Sequence, residues 1–211
     1  MIRVITFSLL VMSTLLLSAC SEYNTHVVSV QQPSPVLGSP LVDAPMQDLT
    51  IDDVQIIENG QAGNVDPGFM QRFALEMYRS GLFRRVYDPT TAYNTPADSV
   101  HLKLFATELL DRHWPEKVGK DILVGLSYMA LMPVMPYKME YSVSLRVTVT
   151  LPDKSTREFE SSTKAEVDYK AFSDGKAAED DLKRTAMNDC LNGLLAKMKT
   201  DKDFLSALEP Q

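Results

Sequence analysis

Met139-Glu140-Tyr141-Ser142-Val143-Ser144-Leu145-Arg146-Val147-Thr148-Val149-Thr150-Leu151 alternates without a break: every odd position is apolar and every even one polar. Strict period-two patterning of this length predicts a strand with one face on a core and one in water. Pro152-Asp153-Lys154 follows as a run of turn residues. The alternation then resumes, with Phe159, Ser161, Thr163, Ala165, Val167 and Tyr169 on one face and Glu158, Glu160, Lys164, Glu166 and Asp168 on the other. Two such runs joined by a short turn predict a long antiparallel hairpin. None of its residues forms a catalytic pattern, so the hairpin sets the architecture and leaves the chemistry open.

Working outward, the flanking segments supply the rest of a small domain. Asp48 to Ile57 reads as a strand whose apolar phase slips between Leu49/Ile51 and Val54/Ile56, which predicts a bulge at Asp52-Asp53. Asp66-Pro67 opens a helix, since Asp caps and Pro fits the first turn. Met70, Phe73, Ala74, Met77, Tyr78 and Gly81 then form an apolar stripe, with Gly81 ending the helix. Arg84 to Tyr87 is a short strand. Ser99 to Leu110 is another, with Val100, Leu102, Leu104 and Ala106 on the core face and His101, Lys103 and Thr107 opposite. Ser173 to Thr200 is a second helix, in which Leu182, Ala186, Cys190, Leu194 and Met198 are spaced by four; residues 201–211 read as a frayed turn. The order predicts an α+β fold: an antiparallel sheet of four or five strands with two helices packed on one face.

The 211 residues carry a formal net charge of -7. An acidic surface repels phosphates, which argues against a nucleic-acid partner. Nucleotide loops, nucleophile elbows and zinc spacings are absent from the sequence. The Asp52-Asp53 pair has no third ligand at useful spacing. His26, His101 and His113 are scattered, and His113 has only Asp111 close in sequence. These features predict a protein that is not an enzyme, with no metal and no cofactor.

At the N-terminus, Arg3 precedes an apolar run to Leu17 that ends in Leu17-Ser18-Ala19-Cys20. A basic start, a short apolar region and small residues before a cut describe a secretory signal rather than a membrane span. The ending resembles the lipobox of bacterial lipoproteins. That resemblance implies cleavage after Ala19, thioether-linked diacylglycerol on Cys20 and a third, N-linked acyl chain. Ser21 stands where an Asp would direct retention, so the resemblance implies a periplasm-facing outer-membrane protein. Two or three acyl chains make a durable anchor where one does not. With Cys20 acylated, Cys190 has no partner and is expected as a reduced, buried thiol.

The chain thus divides into a signal peptide (1–19), a lipidated segment (20–45) and one domain (46–211). Ser21 to Pro45 carries four prolines and no clear period. It reads as an extended tether of up to roughly 75 Å at about 3 Å per residue, the alternative being docking through Val27, Val28 and Val30. Between Asp121 and Lys138 stand sixteen residues without a charge, too few for a bilayer-spanning helix of roughly 20. One reading is a short buried helix or strand. The other is an exposed apolar segment touching lipid or a partner through Ile122, Leu123, Leu126, Met129, Leu131, Met132, Val134 and Met135.

Gly68-Phe69, Ala74-Leu75, Gly81-Leu82-Phe83, Val86, Ala97-Asp98-Ser99-Val100 and the closing amphipathic helix resemble a broad group of small periplasmic α/β lipoproteins. The likeness spans about residues 46–200, and the uncharged stretch departs from its plainest version. It implies an auxiliary subunit of an envelope transport or secretion system. Such a subunit docks on an envelope protein or forms a homo-oligomer, such as a ring. The competing expectation is a carrier of lipid or another hydrophobic ligand, with residues 122–136 lining the pocket.

Overall fold

The structure, a computed structural model, describes residues 24–28, 47–88, 96, 98–127, 135–170 and 174–208. The signal segment, Cys20, Met129, Leu131, Met132 and Val134 lie outside the described residues. Strand β1 (Asn24–Val28) comes first, then β2 (Gln47–Glu58), the two-residue β3 (Gln61–Ala62), α1 (Pro67–Arg79) and β4 (Phe83–Tyr87). Next come β5 (Val100–Asp111), α2 (Trp114–Leu126), β6 (Pro136–Thr150), β7 (Thr156–Lys170), α3 (Gly175–Thr200) and the short α4 (Lys202–Ala207). The strands form one sheet in the order β1-β7-β6-β5-β2-β3, with β4 pairing β2 off that path. The fold is α+β, with more pieces than the patterning announces: seven strands and four helices among the described residues.

The hairpin is as the alternation requires. Tyr141, Val143, Leu145, Val147 and Val149 are all buried, as are Ser161, Thr163, Ala165 and Val167 across from them. Burying each large aliphatic side chain is worth about 1.5–3 kcal/mol, so a register slip that turned this face outward would forfeit most of the core. At the turn, the Leu151 N–H donates to Ser155 O at 2.9 Å, and Lys154 takes a left-handed φ of 67°.

Among the described residues, β2 makes two parallel pairings. β2 runs parallel to β5 from Leu49 opposite Val100 to Glu58 opposite Glu108, and parallel to β4 on its other side. The sheet is therefore mixed, where the reading from alternation took it as antiparallel throughout. Strand–helix–strand already contains the crossover that a parallel pair needs, and α1 supplies it between β2 and β4. The bulge lies where the phase slips: register shifts between Ile51 and Asp53, leaving Asp52 unpaired.

Helix α1 starts at Asp66, whose Oδ1 accepts from the Gly68 N–H at 3.1 Å, and stops near Gly81, at φ 74°. Its buried residues are Phe69, Met70, Phe73 and Met77. The stripe is thus rotated toward Phe69 from the one expected, and Tyr78 is exposed. At the start of α3, Asp174 Oδ1 accepts from the N–H groups of Lys176 and Ala177, both at 3.0 Å. Leu182, Ala186, Cys190, Leu194 and Met198 are fully buried, as their spacing predicts. The Cys190 thiol donates to Ser161 O at 3.1 Å, and burial pushes its pKa up, so it stays protonated and unreactive.

Two expectations need correction. Asn24–Val28, assigned to the tether, is an edge strand paired to β7. The four prolines of the segment all follow it, so nothing bars residues 24–28 from a ladder. Residues 201–208 are not a frayed turn: Asp201 caps α4, Phe204 is fully buried, and its ring meets Phe159 edge-on at 5.1 Å; residues 209–211 lie outside the described residues.

The domain comprises two compact units. Unit 1 holds β1, Leu110–Tyr141 and Ala165–Thr185; unit 2 holds β2 to Leu109 of β5, Ser142–Lys164 and the chain from Ala186 onward. Phe204→Ala, within unit 2, should lower the unfolding free energy by about 3 kcal/mol, read as a lowered urea midpoint. A loss below about 0.5 kcal/mol would show that α4 contributes nothing to the core.

Candidate functional site

Helix α2 is built inside out. At 3.6 residues per turn, Gly125, Val118, Ile122, Pro115, Leu126, Gly119 and Leu123 follow one another round the helix over about 160° with no charge among them. The remaining arc carries Glu116, Lys117, Lys120, Asp121 and Val124. An ordinary surface helix buries the first arc and wets the second. Here Val118, Ile122, Leu123 and Leu126 are 50%, 56%, 53% and 73% exposed, while Val124 is buried. The uncharged stretch is therefore not a buried element over its described first part. Met135, the other described residue of the expected contact set, is half-buried.

Polar bonds hold the inward arc. Lys120 Nζ donates to Pro136 O at 2.6 Å, pairs with Glu116 at 2.6 Å, and stands 5.9 Å from the centre of the Tyr137 ring. Tyr137 Oη donates to Asp121 Oδ1 at 2.8 Å and its ring stacks on Tyr169 at 5.5 Å. Burial first, and the bond to Asp121 second, push the Tyr137 phenol up to about 12. Lys117 and Lys120 are half-buried, whereas Glu116 and Asp121 are exposed at the edges of the apolar arc, so the bonds of Lys120 and Asp121 tie the helix to unit 1 from partly wetted positions.

Around this mount lies a lattice of ion pairs. Glu166 and Glu140 both meet Lys138, at 2.7 and 3.2 Å, and hold its ammonium pKa above the ordinary lysine range, Glu166 first. Burial raises the Glu179 carboxyl, but hydrogen bonds from Arg112 and Lys183 outweigh that and leave it below its usual range. His113 precedes α2 in a left-handed conformation at φ 47°, and its N–H donates to Asp111 Oδ1 at 2.8 Å. Its Nε2 is buried 3.2 Å from Glu140 Oε1, at ion-pair distance without hydrogen-bond alignment. Glu140 is 27 positions away along the chain, which hid this carboxylate from local spacing. His101 sits at the surface with Nδ1 2.9 Å from Asp52 Oδ1.

A groove of about 360 Å³ lies in unit 2, lined by Asp52, Asp53, Val54, Val65, Pro67, Met70, Gln71 and Asp88. It lies apart in sequence from the 122–136 segment expected to line a pocket. Among the described residues, no cluster of three or more His, Cys, Asp or Glu side chains is arranged to hold a metal ion. Nor, among those residues, is any helix long and apolar enough to cross a membrane.

Val118 is the exposed apolar residue of this arc that reading the uncharged run alone misses, because that run begins after Asp121. The spacing of Val118, Ile122 and Leu126 by four carries the signal. No protein-family model matches this chain, and neither does any curated protein sequence. Among solved structures, the chain is similar to the rare lipoprotein B of Shewanella oneidensis at 13% identity and a TM-score of 0.39, over 74% of this chain and 99% of that one. It is also similar to a candidate neuraminyllactose-binding hemagglutinin homolog of Helicobacter pylori at 12% identity and a TM-score of 0.44, over 86% and 96%. At these scores neither likeness informs function.

Leu126→Asp should change stability by less than about 0.5 kcal/mol, whereas Val124→Asp should cost more than about 3 kcal/mol by burying an unpaired charge; urea midpoints check both. In alkaline titration of phenolate absorbance, the component near pH 12 should vanish in Tyr137→Phe. Since the folded-state pKa is raised, the stability tied to this phenol is present below its ordinary value near 10 and lost as pH climbs toward 12.

Proposed function

We propose that this chain is a non-enzymatic lipoprotein, anchored to the outer membrane and facing the periplasm, that serves as an accessory or assembly subunit of an envelope transport or secretion complex. The observation that carries this reading is the outward apolar arc of α2. Four large apolar side chains exposed on a helix that Lys120 and Asp121 tie to Pro136 and Tyr137 are a surface kept for contact. The Leu17-Ser18-Ala19-Cys20 motif supports the anchor and with it the compartment.

The second reading, a carrier of lipid or another hydrophobic ligand, draws on the groove beside α1, where Val54, Val65, Pro67 and Met70 offer apolar walls. Its volume is near the lower end of the usual range for small-molecule sites, roughly 300–1,000 Å³. Three aspartates among its lining residues disfavour an anionic lipid head.

The two readings part on the protein purified from a bacterial host that processes its leader. The accessory reading expects an N-terminal peptide beginning at an acylated Cys20, no extractable lipid beyond that covalent group, and a native mass of several copies or of a stable complex. A monomer releasing about one lipid per chain on solvent extraction would assign the protein to the carrier class instead.

A further inference from the structure

The groove beside α1 opens on an interrupted edge of β2. Along one side, β5 accompanies β2 from Leu49 to Glu58. On the other, β4 pairs with Gln47 to Thr50 and β3 with Ile57 and Glu58, and the Gly63 N–H donates to Ile56 O at 2.8 Å. Between these pairings, among the described residues, no strand accompanies Ile51 to Gln55 on that side. The groove lies at this window. Asp52, Asp53 and Val54 come from β2 itself, Asp88 follows β4, Val65 follows β3, and Pro67, Met70 and Gln71 come from the first turns of α1. All belong to unit 2. We infer that the window receives an extended, basic segment of a partner polypeptide, paired edge to edge with β2 and seating a lysine or arginine side chain in the groove.

Length, walls and charge select this occupant. At about 3.3 Å per residue, Ile51 to Gln55 spans roughly 16 Å, the length of a short strand, and adding a strand to an open edge is a recurrent way to bind a peptide. Lysine and arginine carry an apolar stem and a charged head. Val54, Val65, Pro67 and Met70 suit the stem, and the three aspartates suit the head. Asp52 Oδ1 stands 2.9 Å from His101 Nδ1, and Asp53 Oδ2 accepts from Gln55 Nε2 at 2.9 Å. Both carboxylates are exposed, and each ionised carboxylate has about four acceptor sites, which leaves room for a further donor. Lys103 stands opposite Asp53 in the β5 register, but no Lys or Arg is among the described residues that line the groove. Among the described residues the acids do not converge as metal ligands do, which favours an elongated organic cation over a bare ion. Charges on an open edge discourage stray pairing; three of one sign also discriminate, repelling acidic segments and drawing basic ones. The site rests neither on the α2 arc nor on the anchor, and it assigns the groove to a polypeptide in place of the lipid of the second reading.

The test titrates a fluorescein-labelled peptide of about five residues, alternating lysine and valine, with the full chain purified from its host in detergent, and reads anisotropy. Saturable binding that weakens as salt rises is the expected result. Glutamate in place of the peptide's lysines, Asp52→Asn with Asp53→Asn, and Val65→Lys should each weaken it by about tenfold or more. Because Asp52, Asp53 and Val65 are exposed, the urea midpoints of these variants should match the parent's. A peptide methylated on its backbone nitrogens keeps the charges and loses the ladder donors, and it should also bind about tenfold more weakly. The inference falls if the lysine peptide does not bind, or if it binds the folded variants as tightly as the parent. It also falls if the methylated peptide or spermidine competes as well as the unmodified peptide, which would make the groove a site for small organic cations.

Discussion

The buried faces of β6 and β7 are the constraint on which the other elements depend. Once Tyr141, Val143, Leu145, Val147 and Val149 point one way, the pleat obliges Ser142, Ser144, Arg146 and Thr148 to point the other. Helix α3 can then bury Cys190 against the carbonyl of Ser161, and Phe204 can meet Phe159. On the opposite face the same pleat presents Lys138, Glu140 and Glu166 together, so the ion pairs beside α2 are a by-product of the register that builds the core.

Helix α2 turns its apolar arc to solvent, with Glu116 and Asp121 exposed at the arc's edges and Val124 buried behind it. Lys120 and Asp121 find partners at Pro136 and Tyr137, immediately before the alternating region of β6. Without those bonds the helix would gain by rolling its valine, isoleucine and leucines inward. Position along the chain thus ties the unusual helix to the most regular strand.

The hairpin, the Asp52 bulge, the Asp66 cap and the α3 stripe were legible in the sequence because each rests on local periodicity or on a side chain bonding its own backbone. What was not legible depends on chain pairing over distance. The parallel register of β2 with β5 leaves the same alternation as an antiparallel one. Asn24–Val28 is too short to show a period, and Phe204 is a single residue in a brief helix. For the candidate site, sequence marked the uncharged stretch and named Ile122, Leu123 and Leu126. It did not say which way they face, since an apolar stripe has the same period whether it is buried or exposed. The Glu140 carboxylate beside His113 needed the fold to bring strand and helix entrance together.

Phe204 is among the most deeply buried side chains of unit 2, yet it sits in a helix of only six residues. A helix that short does not persist by its own backbone bonds, so the contact of Phe204 with Phe159 is what holds the segment folded. Amide protons of Lys202–Ala207 are therefore tied to the opening of the strand that carries Phe159 rather than to fraying of a lone helix.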